Sequence, residues 1–224
     1  MKVIVLGESH AHLFDHMNTR QDEYNFTTCV AGGASARGVI GKDSETQSYN
    51  KYNAKLECNS SYDKIIIMLG EVDCAYLAWI CSYRYNTHVD VELEKSYTNL
   101  FRFIDEIVVG KFKFSPDKIM VAGSPLTPIK DGIDRTQLYA ERPNVRASQE
   151  LINTKTMMYN NQLKSMCEKR GFAYFDITKY IIGEKNSVKE EYTHPSPYDI
   201  HLNFETCYRH WLREFEIATG KHIE

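Results

Sequence analysis

The sequence KVIVLGESHAHLF, residues 2–14, decides the fold predicted for this chain. Its run of β-branched and large apolar residues ends at Gly7 and gives way to small and polar residues, which is typical of a buried strand followed by a turn and a helix. Ser9 therefore follows the carboxyl end of the first strand, where open α/β sheets bind their ligands. A serine at this position is either a nucleophile beside the positive end of a helix dipole or a residue that caps the helix.

Further apolar runs predict four more strands, over residues 24–30, 63–69, 118–122 and 171–176. Helical patterns lie between and after them, including those over residues 74–85, 89–109, 147–169 and 203–218. Strand and helix alternate along the chain without an internal repeat or a linker. The sequence therefore predicts one domain over residues 1–224, a three-layer α/β/α sandwich around a central, mostly parallel five-stranded sheet.

Two polar regions interrupt this alternation. Residues 41–61 are rich in Asn, Ser, Lys and Tyr, which predicts a surface excursion with a little helix. Residues 130–146 are charged and contain Pro143, which predicts an insertion or a lid.

Composition excludes several classes of protein. The net charge of −3 over 224 residues provides no overall attraction for nucleic acid or for an anionic membrane. No apolar run approaches the length of a membrane span, and the amino-terminal run is too short for a signal peptide. The six cysteines are scattered without a CxxC pair, which predicts free thiols. We expect a cytoplasmic protein with neither a nucleic-acid nor a membrane partner.

Polar stretches also follow other predicted strands. The small-residue turn around Gly33 follows the second strand and can present bare backbone amides to a ligand. Residues 70–73, GEVD, follow the third strand. The loop before the last helix contains His194 and His201, either of which could act as a general base. Because the carboxyl ends of parallel strands share one edge of a sheet, we expect Ser9, Gly33 and His201 in one cleft, with Asp73 close by.

These stretches, taken in order, resemble the conserved blocks of the SGNH, or GDSL-like, hydrolase superfamily. Gly7-Glu8-Ser9 resembles its GDS block with a glutamate in place of the aspartate, and residues 33–37 resemble its glycine block. Residues 70–73 resemble the GxND block, and residues 198–203 resemble the DxxHLN block. The run GEVDC also resembles a branch of this superfamily that is linked to glycan modification. The resemblance implies an SGNH or flavodoxin-like sandwich and an ester hydrolase.

The same resemblance implies roles for individual residues. Ser9 would be the nucleophile, His201 the general base and Asp199 the acid that orients it. The oxyanion hole would be formed by the backbone amides of Ser9 and Gly33, and the further oxyanion or substrate-binding residues would be Ser35, Glu71 and Asp73. No metal or cofactor is required. The implied substrate is a small acyl ester, carried by a sugar or glycan, and transfer to a hydroxyl other than that of water would use the same residues.

Two positions depart from the family pattern. Val72 stands where the family has an asparagine that donates to the oxyanion, and Tyr198 stands where the family acid precedes the histidine by three residues. Asp199 precedes His201 by only two, whereas Glu191 has the family spacing to His194. Glu191 and His194 therefore form a rival pair. The departures also leave open a catalytically weakened, carbohydrate-binding pseudoenzyme on the same fold.

Overall fold

The computed structural model describes residues 1–58, 61–140 and 142–221 of the chain. At its centre is a five-stranded sheet made of β1 (Lys2–Gly7), β2 (Asn25–Val30), β3 (Lys64–Met68), β4 (Ile119–Ala122) and β5 (Ala173–Phe175). The strands lie in the order β2-β1-β3-β4-β5, and each neighbouring pair is parallel. The structure confirms the predicted fold class, with a sheet that is fully parallel.

Helices cover both faces of this sheet. They are α1 (His12–Asn18), α2 (Ser48–Glu57), α3 (Ala78–Tyr85), α4 (Val89–Phe103), α5 (Gln149–Glu168), α6 (Thr178–Ile181) and α7 (Phe204–Ala218). Alternate residues of β1 face opposite ways, so that Ile4 and Leu6 pack with α2, α3, α4 and α5. Val3 and Val5 pack with α1, α6 and α7. Because both faces are covered, the strands read as continuous apolar runs.

Short helical turns join several of these elements. A 3-10 turn, Ser9–Ala11, leads from β1 into α1, and a π-helical turn, Asp73–Leu77, leads into α3. Helix α4 continues as a π-helical segment, Ile104–Lys111, so the predicted helix over residues 89–109 is present but changes its winding after Phe103. The catalytic candidates therefore lie on turns that rigid elements hold at both ends.

The polar region 41–61 contains a full helix, α2, where the sequence predicted a surface excursion. Its Tyr52 is fully buried, and the Tyr52 hydroxyl donates a 2.9 Å hydrogen bond to the carbonyl of Gly7. The helix was underestimated because two inward residues, Tyr52 and Leu56, supply most of its packing while its other faces are polar. Residues 59 and 60 of this region lie outside the described part of the chain.

All six cysteines are free, as the sequence predicted. None of the helices in the described ranges combines the length and the apolar character needed to cross a lipid bilayer.

Candidate active site

Three of the predicted turns meet because the neighbouring strands end level with one another. Gly7, the last residue of β1, is in register with Val30 of β2 and with Met68 of β3. The turns that follow these strands therefore emerge side by side at the carboxyl edge of the sheet. They form one wall of a cavity of about 870 Å³, which Ser9, Gly33, Val72 and His201 all line.

The side chain of Glu8, and not that of Ser9, caps the turn that follows β1. Glu8 Oε2 accepts a hydrogen bond of 3.0 Å from the backbone amide of His10, which is the usual contact of a helix cap. The Ser9 hydroxyl is left to make other contacts. Of the two readings that the sequence left open for this serine, the structure disfavours the helix cap.

The Ser9 hydroxyl lies between Glu8, whose Oε2 is 3.2 Å from Ser9 Oγ, and the loop before α7. Ser9 Oγ lies 2.9 Å from Nε2 of His201, and Nδ1 of His201 lies 2.7 Å from Oδ1 of Asp199. The same Asp199 oxygen accepts a 2.9 Å hydrogen bond from the backbone amide of His201. Because the ring donates its Nδ1 proton to Asp199, Nε2 is left unprotonated and can accept the serine proton.

The two-residue spacing between Asp199 and His201 is accommodated by this local turn. One carboxylate oxygen of Asp199 binds both the backbone amide and the ring nitrogen of His201. The acid therefore reaches the ring from a position only two residues before it. Asn203 then starts α7, with its side chain accepting a hydrogen bond from the backbone amide of Glu205. Tyr198, at the position of the family acid, lines the cavity instead.

The environment favours an ionised acid and a neutral base. Burial works against the charge of Asp199, but the hydrogen bonds from the backbone and ring of His201 hold the pKa of Asp199 below its usual value. Burial, followed by the positive charge of His10, lowers the pKa of His201 below its usual value in spite of Asp199. Near pH 7 His201 is therefore a free imidazole, which is the form a general base needs.

The rival pair is arranged differently. His194 is 41% exposed and its Nδ1 lies 3.5 Å from the other oxygen of Asp199, on the far side of that carboxylate from His201. Glu191 belongs to a 3-10 turn, Glu190–Tyr192, and is exposed. The structure thus brings Ser9 together with His201 and Asp199, and leaves Glu191 and His194 outside that chain of hydrogen bonds.

Of the residues predicted to bind the oxyanion or the substrate, Gly33 lies where the sequence expected it. Gly33 lines the cavity with Ser9 and has a φ of 71°, a backbone conformation that favours glycine. Ser35 does not reach the cavity lining. Its hydroxyl accepts a 2.9 Å hydrogen bond from the amide of Gly38 and so stabilises the turn.

The structure also corrects the prediction that Asp73 binds the oxyanion or the substrate. It is fully buried, and its two carboxylate oxygens accept hydrogen bonds of 2.6 and 3.0 Å from the backbone amides of Ala36 and Arg37. Burial raises the pKa of Asp73 to about 6, even though these hydrogen bonds oppose the shift. Asp73 therefore links the turn after β3 to the turn after β2 that contains Gly33, and its side chain is buried away from solvent.

The prediction for Glu71 is the third to be corrected. Its partner is a residue that sequence reasoning missed. Glu71 is 1% exposed and its two oxygens accept hydrogen bonds of 2.9 and 2.7 Å from the guanidinium of Arg142, which is itself 6% exposed. The Arg142 guanidinium also stacks on Tyr76 at 4.7 Å and lines the cavity. No local sequence pattern indicated a buried role for Arg142, because it lies in a charged stretch that is typical of a solvated surface.

Glu8, His10 and Glu71 bring possible metal-ligating atoms within 4.8 Å of one another. Glu8 Oε1 is buried without a hydrogen-bond partner in the described part of the chain, whereas the other carboxylate oxygens of this group have partners. Arg142 binds both Glu71 oxygens, and Glu8 Oε2 lies 2.9 Å from Nδ1 of His10. Together with Arg142 the three side chains form a buried set of alternating charges.

A second, smaller cavity of about 320 Å³ lies on the other side of the Ser9–His201 pair. Ser9 and His201 line both cavities, and Leu202 and Phe204 provide apolar wall to the smaller one. The larger cavity has three tyrosines in its wall, Tyr76, Tyr139 and Tyr198. The reacting hydroxyl is thus open to two spaces of different size and polarity.

Comparison with known proteins relates this fold to ester hydrolases. No family model matches the chain, and no curated protein matches it. A solved structure assigned as a platelet activating factor from Streptococcus pneumonia aligns with a TM-score of 0.63 at 12% identity, over 97% of this chain and 83% of that one. A GDSL-like lipase from Bacteroides thetaiotaomicron aligns with a TM-score of 0.53 at 12% identity, over 99% and 89% of the two chains.

An acetyl xylan esterase, AlAXEase, aligns with a TM-score of 0.55 at 15% identity, over 97% of this chain and 99% of that one. At such low identity these similarities show a shared fold. The chain has the α/β sandwich fold of GDSL-like hydrolases.

Proposed function

We propose that the protein is a serine ester hydrolase in which Ser9 is the nucleophile, His201 the general base and Asp199 the acid that orients His201. The observation that carries this proposal is the continuous set of hydrogen bonds from Ser9 Oγ through His201 to Asp199, at 2.9 and 2.7 Å, in the wall of a cavity. A hydroxyl, an imidazole and a carboxylate in this order form a nucleophile with its base.

In the proposed reaction His201 Nε2 removes the proton of Ser9 as the oxygen attacks the ester carbonyl. The C–O bond to the alcohol breaks, the alcohol leaves with the proton from His201, and the acyl group remains on Ser9. Water, activated by the same imidazole, then releases the acid and restores the serine. The backbone amides of Ser9 and Gly33 are the proposed donors to the oxyanion, since both residues line the cavity.

We further propose that the ester joins a short acyl group to a sugar. The smaller cavity, of about 320 Å³ and walled by Leu202 and Phe204, suits a short acyl chain. The larger cavity, of about 870 Å³, suits the sugar, because Tyr139 and Tyr198 in its wall supply aromatic rings and hydroxyls for a polyhydroxylated alcohol. The similarity in fold to an acetyl xylan esterase supports this choice by analogy.

The test uses a fluorophosphonate probe and p-nitrophenyl acetate, then acetylated xylan fragments. We expect the probe to label Ser9, and we expect Ser9→Ala and His201→Ala to lose at least about 10³-fold in kcat/KM. Asp199→Asn should lose less than His201→Ala, since Asp199 supports the base without transferring the proton itself. His194→Ala is the matched control and should retain nearly full activity.

Three outcomes would contradict the proposal. Full activity in His201→Ala together with loss in His194→Ala would transfer the base to His194. A folded wild-type protein that neither reacts with the probe nor hydrolyses either ester would indicate the carbohydrate-binding alternative, which Val72 favours because it removes an oxyanion donor. Faster acetyl release when a sugar acceptor is added, with acetylated acceptor as the product, would indicate an acyltransferase.

A further inference from the structure

His10, the residue after the proposed nucleophile, connects the Ser9 turn to the loop that carries the base. It is 3% exposed. Its Nδ1 lies 2.9 Å from Glu8 Oε2, and on the opposite side of the ring its Nε2 lies 3.3 Å from the carbonyl oxygen of Ile200. Ile200 is the residue between Asp199 and His201. The rings of His10 and His201 are 4.5 Å apart between centroids.

Both ring nitrogens of His10 face acceptors. A carboxylate and a backbone carbonyl have no proton to give, so each contact requires an N–H on the ring, and only the charged imidazolium carries both. Burial alone would lower the pKa of His10, but the negative charge of Glu8 and the hydrogen bond to it raise that pKa to about 9. The ring is therefore a buried cation at neutral pH.

The charged and titratable groups around His10 come from four parts of the chain. Glu8 precedes it on the same turn, Glu71 follows β3, Arg142 reaches in from the segment between β4 and α5, and His201 belongs to the loop before α7. The two carboxylates favour the charge of His10 and Arg142 opposes it. His201 is the neighbour whose own protonation the His10 charge disfavours.

We propose that His10, as a buried imidazolium held by Glu8, is a positioning residue that fixes the base loop through Ile200 and keeps His201 unprotonated. This inference rests on the proposed function, in which His201 is the base. A hydrogen bond to the carbonyl of Ile200 holds the backbone on one side of the histidine, while Asn203 holds it at the start of α7. A positive charge 4.5 Å from the imidazole favours its neutral form.

Two substitutions separate the hydrogen bond from the charge. In His10→Gln the amide nitrogen reaches about as far as Nε2, so the contact to Ile200 is kept while the charge is lost. In His10→Asn the amide nitrogen takes the place of Nδ1, so the contact to Glu8 is kept and both the Ile200 contact and the charge are lost. Circular dichroism and thermal unfolding check that both variants fold.

The readouts are the pH profile of kcat/KM on p-nitrophenyl acetate and an NMR titration of the imidazole nitrogens. In both variants the acid limb of the profile and the pKa of His201 should move to higher pH. At the plateau, His10→Gln should stay within about tenfold of wild type, whereas His10→Asn should lose about 10²-fold, since a misplaced base is costly. Wild type should lose activity as pH rises through about 9, where His10 loses its proton, and both variants should lack this limb.

The NMR titration needs no substrate, so it distinguishes the failure of this inference from failure of the proposed function. An inactive wild type would contradict the hydrolase, while the titration would still report how the charge of His10 affects His201. A His201 pKa that is unchanged in both variants would overturn the inference. So would a wild-type His10 that titrates at its ordinary pH, a result that requires no variant to fold.

Discussion

Val72 lines the cavity beside Ser9, at the position where the resemblance places an asparagine donor. Two polar side chains near this turn, Ser35 and Asn203, do not share the larger cavity with Val72: Ser35 is not part of its wall, and Asn203 lines only the smaller cavity. Losing one oxyanion donor costs about 10²–10³ in rate in other enzymes. Within the proposed function, the oxyanion is therefore stabilised by fewer hydrogen-bond donors than the site has room for.

We expect Val72→Asn to raise kcat on p-nitrophenyl acetate by about tenfold or more, with little change in KM, because the new amide would donate in the transition state. Val72→Leu is the matched control, since leucine has the branching of asparagine without its donor. Steady-state kinetics of the two variants check the prediction. A similar rate in both would show that the oxyanion is already saturated with donors.

At this scale, sequence reasoning selected the three residues that the structure brings together by hydrogen bonds. Ser9, His201 and Asp199 could be selected because each lies in a short pattern next to a strand end or a helix start. Ser35, Glu71 and Asp73 were assigned to the cavity because their neighbours belong there. The Ser35 hydroxyl instead binds Gly38 within its own turn, and the side chains of Glu71 and Asp73 point inward to partners elsewhere in the chain. Which way a turn residue points depends on tertiary contacts that no local pattern records.

The turn between β1 and α1 is packed tightly against β3. A Cβ atom on Gly7 would lie 2.7 Å from Cβ of Ala11 and 2.9 Å from the carbonyl oxygen of Met68. The Met68 oxygen belongs to the backbone of a central strand and cannot turn away. Glycine is therefore required here by the close approach of two chain segments, and its absence of a side chain sets where the Ser9 turn begins.

We expect Gly7→Ala to lower the free energy of unfolding by about 1–3 kcal/mol, the usual cost of overpacking, and to slow probe labelling of Ser9 because the turn must shift. Gly32→Ala is the control, since a Cβ there meets nothing within 4 Å. Urea unfolding and labelling rates measure the two effects. Equal stability in both variants would contradict the packing argument.

The strands and helices could be predicted from the sequence, but the residues at which they begin and end were harder to predict. The fifth strand was expected over residues 171–176 but covers Ala173–Phe175. Gly171, with a φ of 69°, and Phe172 instead close α5, because the amide of Phe172 donates a 3.0 Å hydrogen bond to the carbonyl of Cys167. Apolar residues that cap a helix look the same in the sequence as the start of a strand.

At the scale of the whole molecule, the charged segment 130–146 is part of the site wall. It contains two 3-10 turns, Arg135–Gln137 and Arg142–Asn144, while residue 141 lies outside the described part of the chain. Arg142 crosses to Glu71, a partner 71 positions earlier, and both side chains are buried. The sequence predicted an insertion or a lid, because a pairing over this distance leaves no trace in composition or periodicity.

The buried ion pair between Glu71 and Arg142 should contribute more to the free energy of unfolding than the exposed ion pairs do. Removing one partner of a buried pair leaves an uncompensated charge and typically costs about 3–5 kcal/mol. We expect Arg142→Met to lower the free energy of unfolding by about 3 kcal/mol, toward the low end because His10 still faces Glu71. Glu71→Gln should destabilise for the corresponding reason, with Arg142 left unpaired.

The double variant Glu71→Gln with Arg142→Met carries neither charge and should recover part of the loss, so that urea unfolding of the four proteins gives a coupling of about 2 kcal/mol or more. Arg102→Met is the matched control, because Arg102 pairs with Glu106 on an exposed helix surface and should change stability by less than about 1 kcal/mol. Additive effects at positions 71 and 142 would mean that the segment is held by other contacts.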